Sequence, residues 1–250
     1  MKRIIMFILC LAIAVITVGQ DKKKYPNEIE GVRVSPPRFI GSEKLPAMLN
    51  TKEEFSTLGE FMSMYIQYPE KAKDRFQEGT EVIQFNVSPS GELADFKIIN
   101  SITPEIDAEV IRVLKKTDRM WNPGTNNGVP VAMEKEFSIS FKLPYGASDL
   151  TTDFTAEAQS YFKKGNKKFF IKDNNKSALR FYDKAMQYLP NDKALLVTRG
   201  MCRYELGDNN GACRDWNRIK TLGGYEGDAY LNNFCDYKGY ADLISILQKK

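Results

Sequence analysis

The chain has 250 residues and not one histidine. That removes the side chain most often used as a general base and as a zinc ligand. Ser-His-Asp and Cys-His catalysis are excluded within this chain, which leaves an enzyme only carboxylate or lysine chemistry. No catalytic constellation and no cofactor motif stands out, so the sequence reads as a binding protein rather than an enzyme, with no cofactor and no metal. Charge of one sign is also scarce. Lys and Arg number 36 against 32 Asp and Glu, a net charge of +4, with no long Lys/Arg block and no basic-aromatic nucleic-acid signature. Hydrophobic residues make up 42% and charged ones 27%, a balance that excludes wholesale disorder. Even the apolar run at the N-terminus, Ile4 to Gly19, has 16 residues where a membrane span needs about 20.

That run follows Lys2 and Arg3, and Thr17 and Gly19 are small enough for the −3 and −1 positions of a signal-peptidase site. Residues 1–19 are expected to be a signal peptide, cleaved before Gln20. The alternative is an uncleaved inner-membrane anchor through residues 4–19. Cysteine is sparse. Cys10 lies in the apolar run, and Cys202, Cys213 and Cys235 all fall in the last quarter. In an exported chain one disulfide among these three is expected, a buried reduced state being the alternative. A structural zinc site lacks its fourth ligand.

Residues 20–50 are polar and interrupted by prolines, notably Pro36-Pro37, which reads as an extended arm. From Lys52 the apolar residues Phe55, Leu58, Phe61, Met62, Tyr65 and Ile66 recur at helical spacing, and Pro69 ends that helix. Two alternating runs follow. Ile83, Phe85 and Val87 share one face of the first, and Ala94, Phe96 and Ile98 one face of the second, with Ser88–Gly91 as the turn between antiparallel strands. Thr103 and Pro104 open a second helix with the stripe Ile106, Val110, Val113 and Leu114. Residues 119–128 read as a loop. A long third strand follows, with Val131, Met133, Phe137, Ile139 and Phe141 on one face and Glu134, Glu136, Ser138 and Ser140 on the other. The fold class is α+β: a small antiparallel three-stranded sheet with two helices over residues 51–146, a linker at 147–153, and an all-α region over 154–250.

In that last region Ala178 and Tyr182 are repeated 34 residues later by Ala212 and Trp216, and Gly165 and Gly200 precede them. This pattern resembles the tetratricopeptide repeat, a helical-hairpin interaction module, with a capping helix around Asp228–Tyr237. The glycine-to-alanine spacings are 13 and 12, so the first repeat carries one extra residue near "IKDNNK". Cys213 and Cys235 fall on consecutive helices of this arrangement, which favours that pair as the disulfide.

Residues 65–143 carry "YPEKAK", "EGTEVIQFNVSPSGELADFKIINS", "IDAEVIRVLKK", "WNPGTNNGVPV" and "FSISFKL" in one order and spacing. This ordered set resembles the C-terminal domain of the TonB energy-transducer family. The resemblance implies a periplasmic domain that binds a short extended peptide, the TonB box, of an outer-membrane transporter. The peptide would add as a strand to a sheet edge. It implies peptide-binding positions at Gln67, Tyr68 and Pro69, and along the third strand at Val131, Met133, Lys135, Phe137 and Ile139. The repeats would take a further envelope protein. Two alternatives stand beside it: Tyr68-Pro69 only terminates a helix, and the chain is a periplasmic scaffold that does not bind the TonB box.

Overall fold

Thr57 shows how the first described helix starts. Its hydroxyl accepts from the Glu60 amide at 3.2 Å, and the Glu60 carboxylate accepts from the Thr57 amide at 3.2 Å. This reciprocal cap, written in the sequence as Thr-Leu-Gly-Glu, begins α1 (Leu58–Tyr65). The computed structural model describes residues 33–41, 57–143 and 154–235. The expected signal segment, the rest of the arm, Phe55, Cys10 and the 147–153 linker lie outside the described residues.

Helix α1 buries Leu58, Phe61 and Met62. Ile66 has already left the helix at φ −80°, ψ 137°. Pro69 does more than end it, because it is also the N-cap of a short α2 (Glu70–Asp74). Strands β3 (Gly79–Val87) and β4 (Leu93–Asn100) pair antiparallel through a turn at Ser88–Gly91. Gly91 sits at φ +81°, and a Cβ there would fall 2.4 Å from the Trp121 carbonyl oxygen, so no other residue fits the turn.

The first strand follows its alternation, with Ile83, Phe85 and Val87 fully buried. The second departs from it. Asp95 takes φ 53°, and the register jumps between the pairs Asn86↔Ala94 and Gln84↔Lys97. Two residues of β4 thus oppose one of β3, which is a β-bulge. The phase shifts, so Leu93, Phe96 and Ile98 pack on the core while Ala94 is exposed, not inward as its period-two position implies.

Helix α3 (Pro104–Lys115) starts at Thr103, whose hydroxyl accepts from the Ile106 amide at 3.3 Å. It lays Ile106, Val110, Val113 and Leu114, all fully buried, against the sheet. The segment expected as a loop is ordered strand. Trp121 and Asn122 form β5, and β6 (Gly124–Asn126) and β7 (Val129–Val131) form a hairpin. Asn127 and Gly128 turn it at φ 51° and 80°, the two left-handed residues that such a two-residue turn requires. This Asn-Gly signal is legible in the sequence. The long third strand is accordingly split at Ala132, and β8 (Met133–Phe141) alone pairs with β3.

Residues 33–41 run alongside this hairpin. Strand β1 (Val34–Ser35) pairs with β6, and β2 (Arg38–Phe39) pairs with β5, with Pro36-Pro37 between them. Phe39 packs edge-on to Trp121 at 5.5 Å between ring centres. Trp121 itself is a core residue whose indole N–H donates to Thr117 Oγ1 at 3.1 Å.

The helical region stacks hairpins. Helix α4 (Thr155–Asn166) packs on α5 (Asn175–Tyr188), and α6 (Lys193–Glu205) on α7 (Asn209–Thr221), with α8 (Asp228–Phe234) after them. The glycines sit where an aromatic ring crosses the hairpin. A Cβ on Gly165 would lie 2.5 Å from Tyr182, and one on Gly200 2.3 Å from Trp216. The extra residue of the first hairpin is absorbed by a π-helical turn, Lys167–Ile171, where the Lys172 amide reaches back five residues to the Lys167 carbonyl at 3.2 Å. Cys213 on α7 is bonded to Cys235 after α8, and Cys202 is a buried free thiol.

The described residues belong to one compact unit. Within it the helices meet the sheet at a polar seam. Thr80 Oγ1 donates to the Tyr188 carbonyl at 2.7 Å, and the Gln187 amide donates to the Glu78 carbonyl. The Arg218 guanidinium grips Glu136 of β8 at 2.6 and 2.7 Å. Among the described residues no helix is long and apolar enough to cross a membrane.

Candidate peptide-binding edge

Strand order in the main sheet is β4-β3-β8. Strand β8 pairs with β3 in unbroken register from Val87↔Met133 to Gly79↔Phe141. Its other side has no strand partner among the described residues. Alternate residues of this nine-residue strand therefore turn backbone donors and acceptors outward, the geometry an extended peptide needs to add a strand.

The side chains of β8 divide as period two requires. Met133, Lys135, Phe137, Ile139 and Phe141 share a face; Phe137 and Ile139 are half-buried on the core, and Phe141 is buried. Glu134 and Ser138 on the opposite face are exposed, and Glu136 there is held by Arg218. Val131 is separate. It belongs to β7 and pairs with Gly124, so it does not continue the β8 edge.

Gln67, Tyr68 and Pro69 sit near the Phe141 end. The Tyr68 ring lies edge-on to Phe141 at 5.4 Å. Its hydroxyl donates to the Gln77 carbonyl and so closes the loop around α2. Burial, with the Glu78 charge second, pushes that phenol up to about 12, so it stays protonated and a donor. The Gln67 amide donates to Glu109 Oε1 at 2.7 Å, across 42 residues of sequence. Arg112 fixes that carboxylate with two 2.7 Å hydrogen bonds, and these above all hold Glu109 below the usual carboxylate range. Arg112 also donates to the Tyr65 carbonyl at 3.0 Å. The side chain of Gln67 is exposed and unpartnered among the described residues.

These residues line a groove of about 560 Å³ with Glu70, Lys73, Glu105 and Arg112. Tyr68 lines the groove and touches Phe141 of β8, which links the groove to that end of the edge. Met133 is eight residues further along the strand, about 27 Å away at 3.4 Å per residue. The structure thus brings Tyr68 beside the C-terminal half of β8 and leaves Met133, and Val131 beyond it, remote.

Glu109 and Arg112 carry no sequence signal for this role, because the contact is across the fold. Glu81 does carry one. It stands in phase with Ile83, Phe85 and Val87, and it is a fully buried carboxyl in the sheet that carries the edge. Its Oε2 accepts from the Ile102 amide at 3.0 Å, and its Oε1 is buried without a partner. Burial first, then Asp107, push it from about 4.5 up to about 8.

Two solved structures similar to this chain are solution structures of the Helicobacter pylori TonB C-terminal domain. The shorter shares 17% identity over 38% of this chain and 92% of its own, with a TM-score of 0.29. The longer shares 18% identity over 36% of this chain and 78% of its own, with a TM-score of 0.28. No curated protein matches the chain in sequence. Residues 64–143 match the family model described as Gram-negative bacterial TonB protein C-terminal. That match covers about a third of the chain, which continues beyond it into helical hairpins.

Proposed function

We propose that this chain binds the TonB-box peptide of an outer-membrane transporter by strand addition at β8, in support of TonB-dependent transport from the periplasm. The helical hairpins, which resemble tetratricopeptide repeats, would recruit a further envelope protein. The observation that carries the reading is the unpaired outer edge of β8 among the described residues, in a segment that matches the TonB C-terminal family model. Backbone pairing at the edge would supply binding, and the exposed Gln67 amide and the Tyr68–Phe141 corner would supply selectivity.

A second reading is a periplasmic scaffold that does not take the TonB box. It is favoured by one observation: the Tyr68 hydroxyl and the Gln67 backbone amide are already satisfied within the fold.

Titration of the isotope-labelled chain with a synthetic TonB-box peptide separates the two. Strand addition moves the amide resonances of residues 133–141 and leaves α4 to α8 in place. Gln67→Ala weakens the titration without changing the unfolding midpoint. A β8 edge that stays silent at millimolar peptide rejects the first reading and leaves the scaffold.

A further inference from the structure

The π-helical turn does more than absorb an inserted residue. Residues 163–176, "KKGNKKFFIKDNNK", contain six lysines and one aspartate, a formal charge of +5 where the whole chain carries +4. Gly165, Asn166 and the Phe169–Ile171 stretch interrupt them, so they make no block in the sequence. Folding gathers them at one end of the first hairpin. Lys163, Lys164 and Lys167 lie on or just after the end of α4, Lys168 in the π turn, Lys172 just after it, and Lys176 in the first turn of α5. All but Lys168 are exposed. Among the described residues none of the six enters an ion pair, although Lys142 and Lys193 elsewhere do.

At the centre of this charge stand two of the most exposed apolar side chains of the fold, Phe170 at 63% and Ile171 at 75%. The wider π turn carries them outward, while Phe169 stays half-buried against Phe170 and Tyr182. Asp173, at φ 46°, then reverses the chain into α5. The apolar tip is costly to leave in water, and the lysines around it have no ion-pair partner among the described residues, Lys164 alone lying over the Tyr161 ring at 5.2 Å. The cations are drawn to a negative surface, and the tip inserts into the boundary between headgroups and acyl chains.

We propose that the turn at residues 163–176 is a docking site for an anionic phospholipid surface. Lysines rather than arginines surround the tip, and its more exposed half, Ile171, is aliphatic with no face for base stacking, which favours lipid over nucleic acid even though Phe170 is aromatic. The site lies in the first helical hairpin and does not depend on the peptide-binding reading.

Partition of the full chain onto vesicles tests it. Phosphatidylcholine vesicles are compared with vesicles containing three parts phosphatidylcholine to one part phosphatidylglycerol. Each variant is referred to the parent, so that residues 4–19 act equally in both. Lys167→Gln, Lys168→Gln and Lys172→Gln together are expected to lower partition onto the anionic vesicles about a hundredfold, at about fivefold per lysine near the surface, and to leave neutral vesicles unaffected. Phe170→Trp gives a second readout, because Trp121 and Trp216 are only 2% and 1% exposed. The introduced tryptophan should shift to the blue and be quenched by brominated phosphatidylglycerol. The proposal is overturned by equal partition of the triple variant and the parent, or by an unquenched tryptophan on vesicles that bind the chain. Retention on double-stranded DNA or an acidic polypeptide, with none on vesicles, overturns it in favour of those partners.

Discussion

Replacing Glu81 with glutamine should remove most of the pH dependence of stability between pH 5 and 8. The native carboxyl is fully buried, has one partner at 3.0 Å and one oxygen with none, and is raised from about 4.5 to about 8. Between those two values the folded chain holds a proton that the unfolded chain has released. The stability linked to Glu81 is therefore complete below about pH 4.5 and is lost as the pH rises toward 8. One proton corresponds to a fall of at most about 1.4 kcal/mol per pH unit, or on the order of 5 kcal/mol over the whole interval. Above pH 8 both states are ionised and the curve flattens. Glutamine keeps the carbonyl that accepts from Ile102 and carries no charge at any pH. Glu81→Gln should match the parent near pH 5 and exceed it by a few kcal/mol at pH 8. Urea unfolding at pH 5, 6, 7 and 8, followed by the fluorescence of Trp121 and Trp216, measures both curves. A parent midpoint that does not fall over this range, or a fall that persists unchanged in Glu81→Gln, would refute the reasoning.

Two further perturbations probe the helical region. Gly200→Ala should destabilise by about 1–2 kcal/mol in thermal or urea unfolding, because its Cβ would sit 2.3 Å from the Trp216 indole nitrogen. A merely exposed helical glycine would instead gain about 1 kcal/mol from the same change, so the sign alone decides. Reduction of Cys213–Cys235, which closes a loop of 22 residues, should cost about 3 kcal/mol in the loop-entropy picture. The double replacement Cys213→Ser and Cys235→Ser should reproduce it; a melting temperature indifferent to reductant would count against it.

The sequence alone determined the elements whose signals are local. Thr103 and Pro104 open a helix wherever they precede an apolar stripe, and Ile83, Phe85 and Val87 can face only one side of a strand. The glycine–aromatic spacing of the helical region carries its steric reason within one hairpin. Even the inserted residue could be counted from the 13 and 12 spacings, though not the π turn that absorbs it. Of the candidate site, the β8 face of Met133 to Phe141 was legible in this way, whereas the Tyr68-Pro69 corner was pointed to by the family resemblance. What tertiary structure decided is where pairing runs across the chain. The bulge at Asp95 turns Ala94 outward, the Asn127–Gly128 hairpin divides Val131 from Met133, and residues 33–41 find β5 and β6. Glu109 reaches Gln67 across 42 residues, and Arg218 reaches Glu136 across 82. Periodicity records that a face will be buried, but not against what. Partners distant in sequence are set by the packing of whole layers, and so is the open edge of β8.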